Sequence, residues 1–207
     1  TIDLLLGMIN DMLDVYQESY SGLPLLTSTV SVNSLVADVV QLFRTEATAK
    51  RITFQLEMPE DAVAITADRR RLLRVLINLA HNALKFSPQG GKITVTVHAE
   101  ARGSTRGGSR GTLSSQATIQ VADEGPGIAT EDLPHVFEMF FKKKDPGDIR
   151  IGRGLGLHFC RLVVEAHRGR ILAENRSSGG AVFSVELPLN QEAYADHIAD
   201  CRGSTAL

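Results

Sequence analysis

Tryptophan is missing from the 207 residues, and aromatic residues make up only 5% of them. Cysteine occurs twice, at Cys160 and Cys201. Two cysteines do not make a disulfide framework, which excludes a small stapled scaffold and points to a reducing compartment. No apolar run reaches the ~18 residues of a spanning helix, so no membrane contact is expected of this stretch. A secretory leader is not evident either, because Asp3 and Asp11 flank the early apolar segment. These absences suggest the cytoplasm, with any membrane anchor lying in other parts of a longer protein. Strong charge of one sign is lacking: the net value is −2. That gives no reason to expect a nucleic-acid partner, and Arg69 to Arg71 and Lys142 to Lys144 are local clusters. The chain opens on Thr1 rather than Met, so it reads as a fragment or a processed chain.

What is present suffices for one domain with appendages: 43% of the residues are hydrophobic. Over residues 1–20, Ile2, Leu5, Ile9, Met12 and Tyr16 follow the spacing of a coiled-coil seam, and Ser21 to Pro24 ends that helix. Leu25 to Val32 reads as a short strand. Ser31 or Asn33 then caps a helix to about Lys50, with Leu35, Val39, Leu42 and Phe43 inward. Ile52, Phe54 and Leu56 alternate with polar residues as a half-buried strand, and Val63 to Thr66 is another.

Asp68 to Pro88 carries the strongest helical pattern. Leu72, Leu76, Leu79, Ala83 and Phe86 gather on one side, with Val75 at its edge. Asn78, Asn82 and Lys85 form a polar stripe opposite. Taken alone, that stripe reads as a solvated face. Beyond the Gly90-Gly91 turn, Ile93, Val95 and Val97 mark a strand, and Ala101 to Gln116 a Gly, Ser and Arg-rich loop. Ala117 to Ala122 is a strand. A short helix with Leu133, Val136 and Phe137 is expected after Thr130. Leu155 to His167 is helical with Leu157, Cys160, Val163 and Val164 inward, and Gly169 sits at its C′ position. Ile171 to Glu174 and Ala181 to Leu187 make a final hairpin. Residues 190–207 read as a short helix and a frayed end.

Three motifs carry chemistry. Asp123-Glu124-Gly125-Pro126-Gly127 ends a strand. A buried carboxylate there selects for an amine donor, and the glycines permit close approach to a flat base. Gly152-Arg153-Gly154-Leu155-Gly156-Leu157 opens a helix, where N–H groups and the helix dipole favour an anion. It is neither a P-loop nor a Gly-x-Gly-x-x-Gly fingerprint. Between the two lies a loop with Lys142, Lys143, Lys144 and Arg150, which suits a lid over phosphates.

In this order and spacing, the motifs resemble the ATP-binding catalytic domain of sensor histidine kinases, within the gyrase, MutL and histidine kinase (GHKL, or Bergerat) superfamily. Asn78 to Phe86 resembles the N box, Asp123 to Gly127 the first glycine box, Phe137 to Phe141 the F box, Gly152 to Leu157 the second glycine box, and Gly179 to Phe183 the last. Residues 1–20 resemble the end of a second dimerisation helix, 21–190 the catalytic domain, and 191–207 a tail.

The resemblance implies a two-layer α/β sandwich: a mixed sheet of about five strands on three helices, with a flexible ATP lid. It implies ATP and Mg²⁺, with Asn82 giving its amide oxygen to the metal. Asn78 would meet the phosphates or the metal's waters, and Lys85 would neutralise phosphate charge. Asp123 would read the adenine amine, with Gly125, Gly127 and Ile128 lining the base. Amides around Gly152, Gly154, Leu155, Gly156 and Leu157 would hold phosphates. Phe137 and Phe140 would anchor the lid, and Lys142 or Arg150 would reach the γ-phosphate. The implied partners are a response regulator receiver domain and a second copy, joined through dimerisation helices in the full-length protein.

Some features depart from the pattern. His81 stands inside the N box, and Arg153 holds a spot in the second glycine box that is often small. No acceptor-like histidine is found: His98, His135, His158, His167 and His197 all lie in other contexts. Hydrolytic relatives of the superfamily carry a glutamate one turn before the metal-binding Asn as a base for water. Asn78 takes that position here and cannot accept a proton, which favours phosphoryl transfer. A hydrolytic ATPase module and a degenerate partner-binding module are the alternatives.

Overall fold

The computed structural model describes residues 24–102, 114–141 and 154–189. Expectations for the 1–20 helix, the middle of the 101–116 loop, the lid with Lys142 and Gly152, and the 190–207 tail lie outside them. Strands β1 (Ser28–Ser31), β2 (Thr53–Glu57), β3 (Ala64–Ala67), β4 (Lys92–Arg102), β5 (Ser114–Ala122), β6 (Arg170–Asn175) and β7 (Ala181–Pro188) accompany three α-helices. The helices are α1 (Val32–Lys50), α2 (Arg69–Phe86) and α3 (Gly156–Ala166). The main sheet runs β2-β4-β5-β7-β6, and β1 and β3 form a separate antiparallel pair. Only β2 and β4 are parallel within the main sheet.

The sheet's register explains its core. Ile171, Val185, Ile119 and Val97 lie opposite one another across four strands. All four are buried, as are Val95, Val121 and Phe183 one pair along. Alternation on each strand thus produces one continuous apolar face. Against it pack Leu72, Val75, Leu76, Leu79 and Ala83 of α2 with Phe159, Cys160, Val163 and Val164 of α3, in a single cluster with the inner side of α1. The result is the two-layer sandwich of five main strands and three helices.

Helix ends follow local chemistry. Ser31 caps α1, its Oγ accepting from the Ser34 N–H at 3.3 Å. Asn33 instead pins the 59–63 segment, donating to the Pro59 carbonyl and accepting from the Val63 N–H. Lys50 at the end of α1 donates to the Leu84 carbonyl of α2 at 3.0 Å, satisfying a terminal acceptor. Among the described residues, no helix is long and apolar enough to cross a membrane.

Several expectations need correction. Leu42 is 62% exposed, and Val36 takes an inward position on α1 instead. Leu56 is exposed because β2 is an edge strand paired on one side only. The 101–116 loop is shorter than its composition suggests: ladder pairing continues to Arg102 opposite Ser114, since backbone bonds tolerate polar side chains. After Thr130 the chain makes only a 3₁₀ turn, Leu133–His135, with Pro134 in its first turn and no side-chain cap. At the end of α3 the left-handed residue is Arg168 (φ 58°), not Gly169. Gly169 has a different reason to be glycine: a Cβ there would lie 2.3 Å from the Glu186 carbonyl oxygen.

Candidate functional site

Helix α2 is held at its start by Asp68. Its Oδ1 accepts from the Arg71 N–H at 3.1 Å, and its Oδ2 accepts from the Leu26 N–H. The Asp68 N–H donates to Nε2 of buried His167 at 2.9 Å, while His167 Nδ1 lies 2.7 Å from the Val163 carbonyl. One imidazole therefore accepts from the N-cap of α2 and bonds the last turn of α3. The basic cluster is partly spent nearby: Arg69 pairs with Asp38, and Arg71 with Asp68.

Further along α2, Asn78 faces the first turn of α3. Its Nδ2 donates to the Gly156 carbonyl at 3.5 Å, and a Cβ on Gly156 would sit 3.5 Å from Asn78 Oδ1. Helix α3 begins at Gly156 after buried Leu155, with no side-chain cap. Its first amides are therefore left without a capping side chain, a polarity that suits an anion. Leu157 is half-buried against the core. Below this contact, Arg74 lies 4.2 Å over the Phe159 ring, and burial lowers its pKa. The fully buried Cys160 thiol is pushed up to about 12, chiefly by desolvation, so it is an inert core group.

One turn on, Asn82 opens onto a cleft lined also by Phe86, Asp123, Pro126, Gly127, Ile128, Ala181 and Phe183. Phe86, expected to face the core, is 45% exposed and forms part of this wall. The Lys85 ammonium lies 4.8 Å from the Phe86 ring centre. A separate void between α1, α2 and the sheet is lined by apolar residues alone, among them Val36, Leu76 and Val121.

Asp123 floors the cleft and is only 4% exposed. Oδ1 accepts from the Gly125 N–H at 2.8 Å and the Ala181 N–H at 3.2 Å. Burial raises its pKa, while the Gly125 and Ala181 amides and the Arg176 charge pull it back. Both bonds end on Oδ1, which leaves the Oδ2 edge of the carboxylate for a donor in the cleft. The loop beyond is tight. A Cβ at Gly125 would meet the Phe86 carbonyl at 2.8 Å, and Gly127 has φ +74°.

The F-box segment packs beside this floor. Phe137 meets Phe183 edge to face, with centroids 6.3 Å apart, and its carbonyl is 3.0 Å from His158 Nδ1 on α3. Phe140 is exposed at φ 63°, and its N–H donates to the Gly154 carbonyl at 3.0 Å. Gly154 sits at φ +72°, where a Cβ would be 2.5 Å from the Phe141 carbonyl. This hydrogen bond thus brings together described residues on either side of 142–153.

Of the residues singled out from sequence, Asn82, Asp123, Gly127 and Ile128 share one cleft, with Gly125 in the same loop. Asn78, Gly154, Leu155 and Gly156 lie at the neighbouring α2–α3 junction. His81 is exposed and tilted 6.3 Å from Phe43, on a different side of α2 from the cleft wall. Sequence reasoning missed Asn175 and Arg176. Asn175 exchanges two hydrogen bonds with the backbone of Ile128, and Arg176 donates to the Asp123 carbonyl. Both act across more than 45 residues of chain, and no local pattern announces them.

Among solved structures, this sandwich and its cleft-bearing face belong to the class of histidine kinase catalytic domains. The catalytic domain of histidine kinase ThkA superposes with a TM-score of 0.65 at 31% identity, over 79% of this chain and 97% of that one. Full-length ShkA in complex with AMPPNP superposes at 0.73 and 28% identity, over 90% of this chain and 36% of that one. The sensor protein KdpD of Clostridium acetobutylicum is 31% identical across 89% of this chain, and the chain spans 19% of its length. Histidine protein kinase DivJ of Caulobacter vibrioides is 32% identical across 89% of this chain, which spans 29% of it. A family model described as histidine kinase-, DNA gyrase B- and HSP90-like ATPase matches residues 67–191, and the chain belongs to that family.

Proposed function

We propose that residues 21–190 form the ATP-binding catalytic domain of a sensor histidine kinase. It transfers the γ-phosphoryl group of ATP to a histidine on a dimerisation helix, for relay to an aspartate of a response regulator receiver domain. One observation supports this most: a buried carboxylate with one oxygen spent on backbone amides and the other left toward a cleft opposite Asn82. That arrangement suits the exocyclic amine of adenine, which offers a donor where guanine offers an acceptor.

The chain's residues fit a nucleotide with its metal. Among the described residues, no three His, Cys, Asp or Glu side chains converge on a metal position. A divalent ion here would rest on an amide oxygen, phosphates and water, the habit of Mg²⁺. When bound, that ion neutralises phosphate charge and orients the transferring group. Asn82 supplies the amide oxygen, Asn78 orients the phosphate side, and Lys85 adds positive charge. Gly125, Gly127 and Ile128 receive the base. The uncapped amides of Gly156 and Leu157 hold phosphate, with Gly154 and Leu155 shaping the approach. Catalysis is then largely positioning and charge neutralisation. Asn78 has no basic atom for activating water, which supports transfer over hydrolysis.

The remaining roles extend the reading. Residues 1–20 end a dimerisation helix, residues 191–207 are a tail, and the whole protein is a homodimer with this domain in the cytoplasm. Phe137, Lys142 and Gly152 belong to the nucleotide-covering side.

Asn82→Ala is expected to lower phosphoryl transfer at least a hundredfold. The assay supplies Mg-ATP with a histidine-bearing dimerisation helix in trans and counts phosphohistidine. Rapid ATP turnover by the chain alone, with no phosphohistidine formed, would favour the hydrolase reading instead.

A further inference from the structure

Asn175 ends β6 and Arg176 follows it, outside every glycine-rich motif, yet both reach back to the loop that carries Asp123. Asn175 uses its whole amide on one residue. Oδ1 accepts from the Ile128 N–H at 2.8 Å, and Nδ2 donates to the Ile128 carbonyl at 2.6 Å. Satisfying both backbone groups of one loop residue replaces a missing strand neighbour. Gly127 makes room for that amide: a Cβ there would lie 2.8 Å from Asn175 Oδ1. Arg176 works at the other end of the loop, its Nη1 donating to the Asp123 carbonyl at 2.9 Å. Its own N–H is fixed by the Gly180 carbonyl at 3.0 Å. Neighbours in sequence therefore hold the first and last residues of the 123–128 loop.

We propose that Asn175 and Arg176 are positioning residues that set the base selectivity of the nucleotide site. The inference rests on the reading of Asp123 as the base-reading carboxylate. Selectivity for an amine over a carbonyl requires a desolvated acceptor that stays where it is when the wrong base arrives. A loop free to drift lets the carboxylate turn to water and lose its discrimination. Asn175 and Arg176 prevent that drift from outside the cleft, without touching the nucleotide. Among the described residues, their side-chain hydrogen bonds go to the Asp123 loop and not to the α2–α3 junction, so their effect falls on the base and not on the triphosphate.

The test measures dissociation constants of Mg-ATP, Mg-GTP and Mg-tripolyphosphate for the whole chain and for Asn175→Ala, Arg176→Ala and Arg176→Lys. Asn175 is exposed and Arg176 half-buried, so neither substitution opens the core. Each alanine variant is expected to reduce the ATP-to-GTP preference roughly tenfold, with tripolyphosphate binding changed less than about twofold. Arg176→Lys restores most of the preference, because an ammonium still donates to the Asp123 carbonyl. An unchanged preference in both alanine variants overturns the proposal while leaving the site reading intact. A parallel loss for all three ligands also overturns it, since that is what general loosening of the fold produces. A wild-type chain with no preference for ATP over GTP overturns the reading of Asp123, and the proposal with it.

Discussion

The two ends of the proposed nucleotide site, the cleft around Asp123 and the α2–α3 junction beside it, are built differently. At the Asp123 end, one carboxylate oxygen bonds the Gly125 and Ala181 amides, the Asp123 carbonyl bonds Arg176, and both backbone groups of Ile128 bond Asn175. At the Asn78 end, a 3.5 Å side-chain bond joins α2 to the uncapped start of α3. A bond of that length sits at the weak limit of hydrogen-bond geometry. In the proposed reading the Asp123 end receives the base, and its hydrogen bonds suit discrimination. In that reading the Asn78 end receives phosphate, and its uncapped amides suit a charged group.

Glycine substitutions test the fixed end most severely. A Cβ at Gly180 would lie 2.0 Å from the Asp123 carbonyl oxygen, at φ +89°. Gly180→Ala is expected to cost about 3 kcal/mol or more in a urea melt. Gly179 has nearly the same backbone, φ +91°, but nothing within 4 Å. Gly179→Ala should cost only about 1 kcal/mol. Equal losses would mean that backbone strain, rather than contact with the Asp123 loop, governs this turn.

His167→Ala tests the open end from a distance. It strands the buried Asp68 N–H and should cost about 1–3 kcal/mol. Because it loosens α2 against α3, tripolyphosphate affinity is expected to fall while the ATP-to-GTP preference holds. A change in that preference would erase the distinction between the two ends.

Asp123→Asn gives the smallest effect on stability and sharpens the contrast. Burial raises the Asp123 pKa in the folded chain. The group's contribution to stability is then fully present below about pH 4, its unfolded value, and lost as pH rises through the folded value. A side chain that cannot ionise should make the chain slightly more stable than wild type at pH 7, with the gain fading toward pH 4. Its amide would turn a donor toward the adenine amine, and ATP affinity is expected to fall roughly tenfold or more. Calorimetry across pH and nucleotide titration check the two halves separately.

Local pattern made α2 legible from Asp68 onward, since an N-cap and a 3.6-residue period are written in adjacent residues. The strand alternation of Ile93, Val95 and Val97 was equally plain. Periodicity names a face but not what covers it, so Leu42, Leu56 and Phe86 read as inward yet lie exposed. The close grouping of Asn82 with Asp123 was implied by the family resemblance that the motifs carry, whereas Asn175 and Arg176 act through contacts that only the folded sheet creates.

The hydrogen bond from Phe140 to Gly154 has a consequence for how the chain can change length. Phe140 and Gly154 meet at that bond on either side of residues 142–153, and Arg102 and Ser114 are paired on either side of residues 103–113. Closing a longer loop between fixed ends costs only about 0.6 kcal/mol per doubling. The framework is in this respect a chassis with two sockets. An insertion between Arg102 and Ser114, or a change of length between Phe141 and Gly154, is expected to leave the sheet register around Asp123 unaltered.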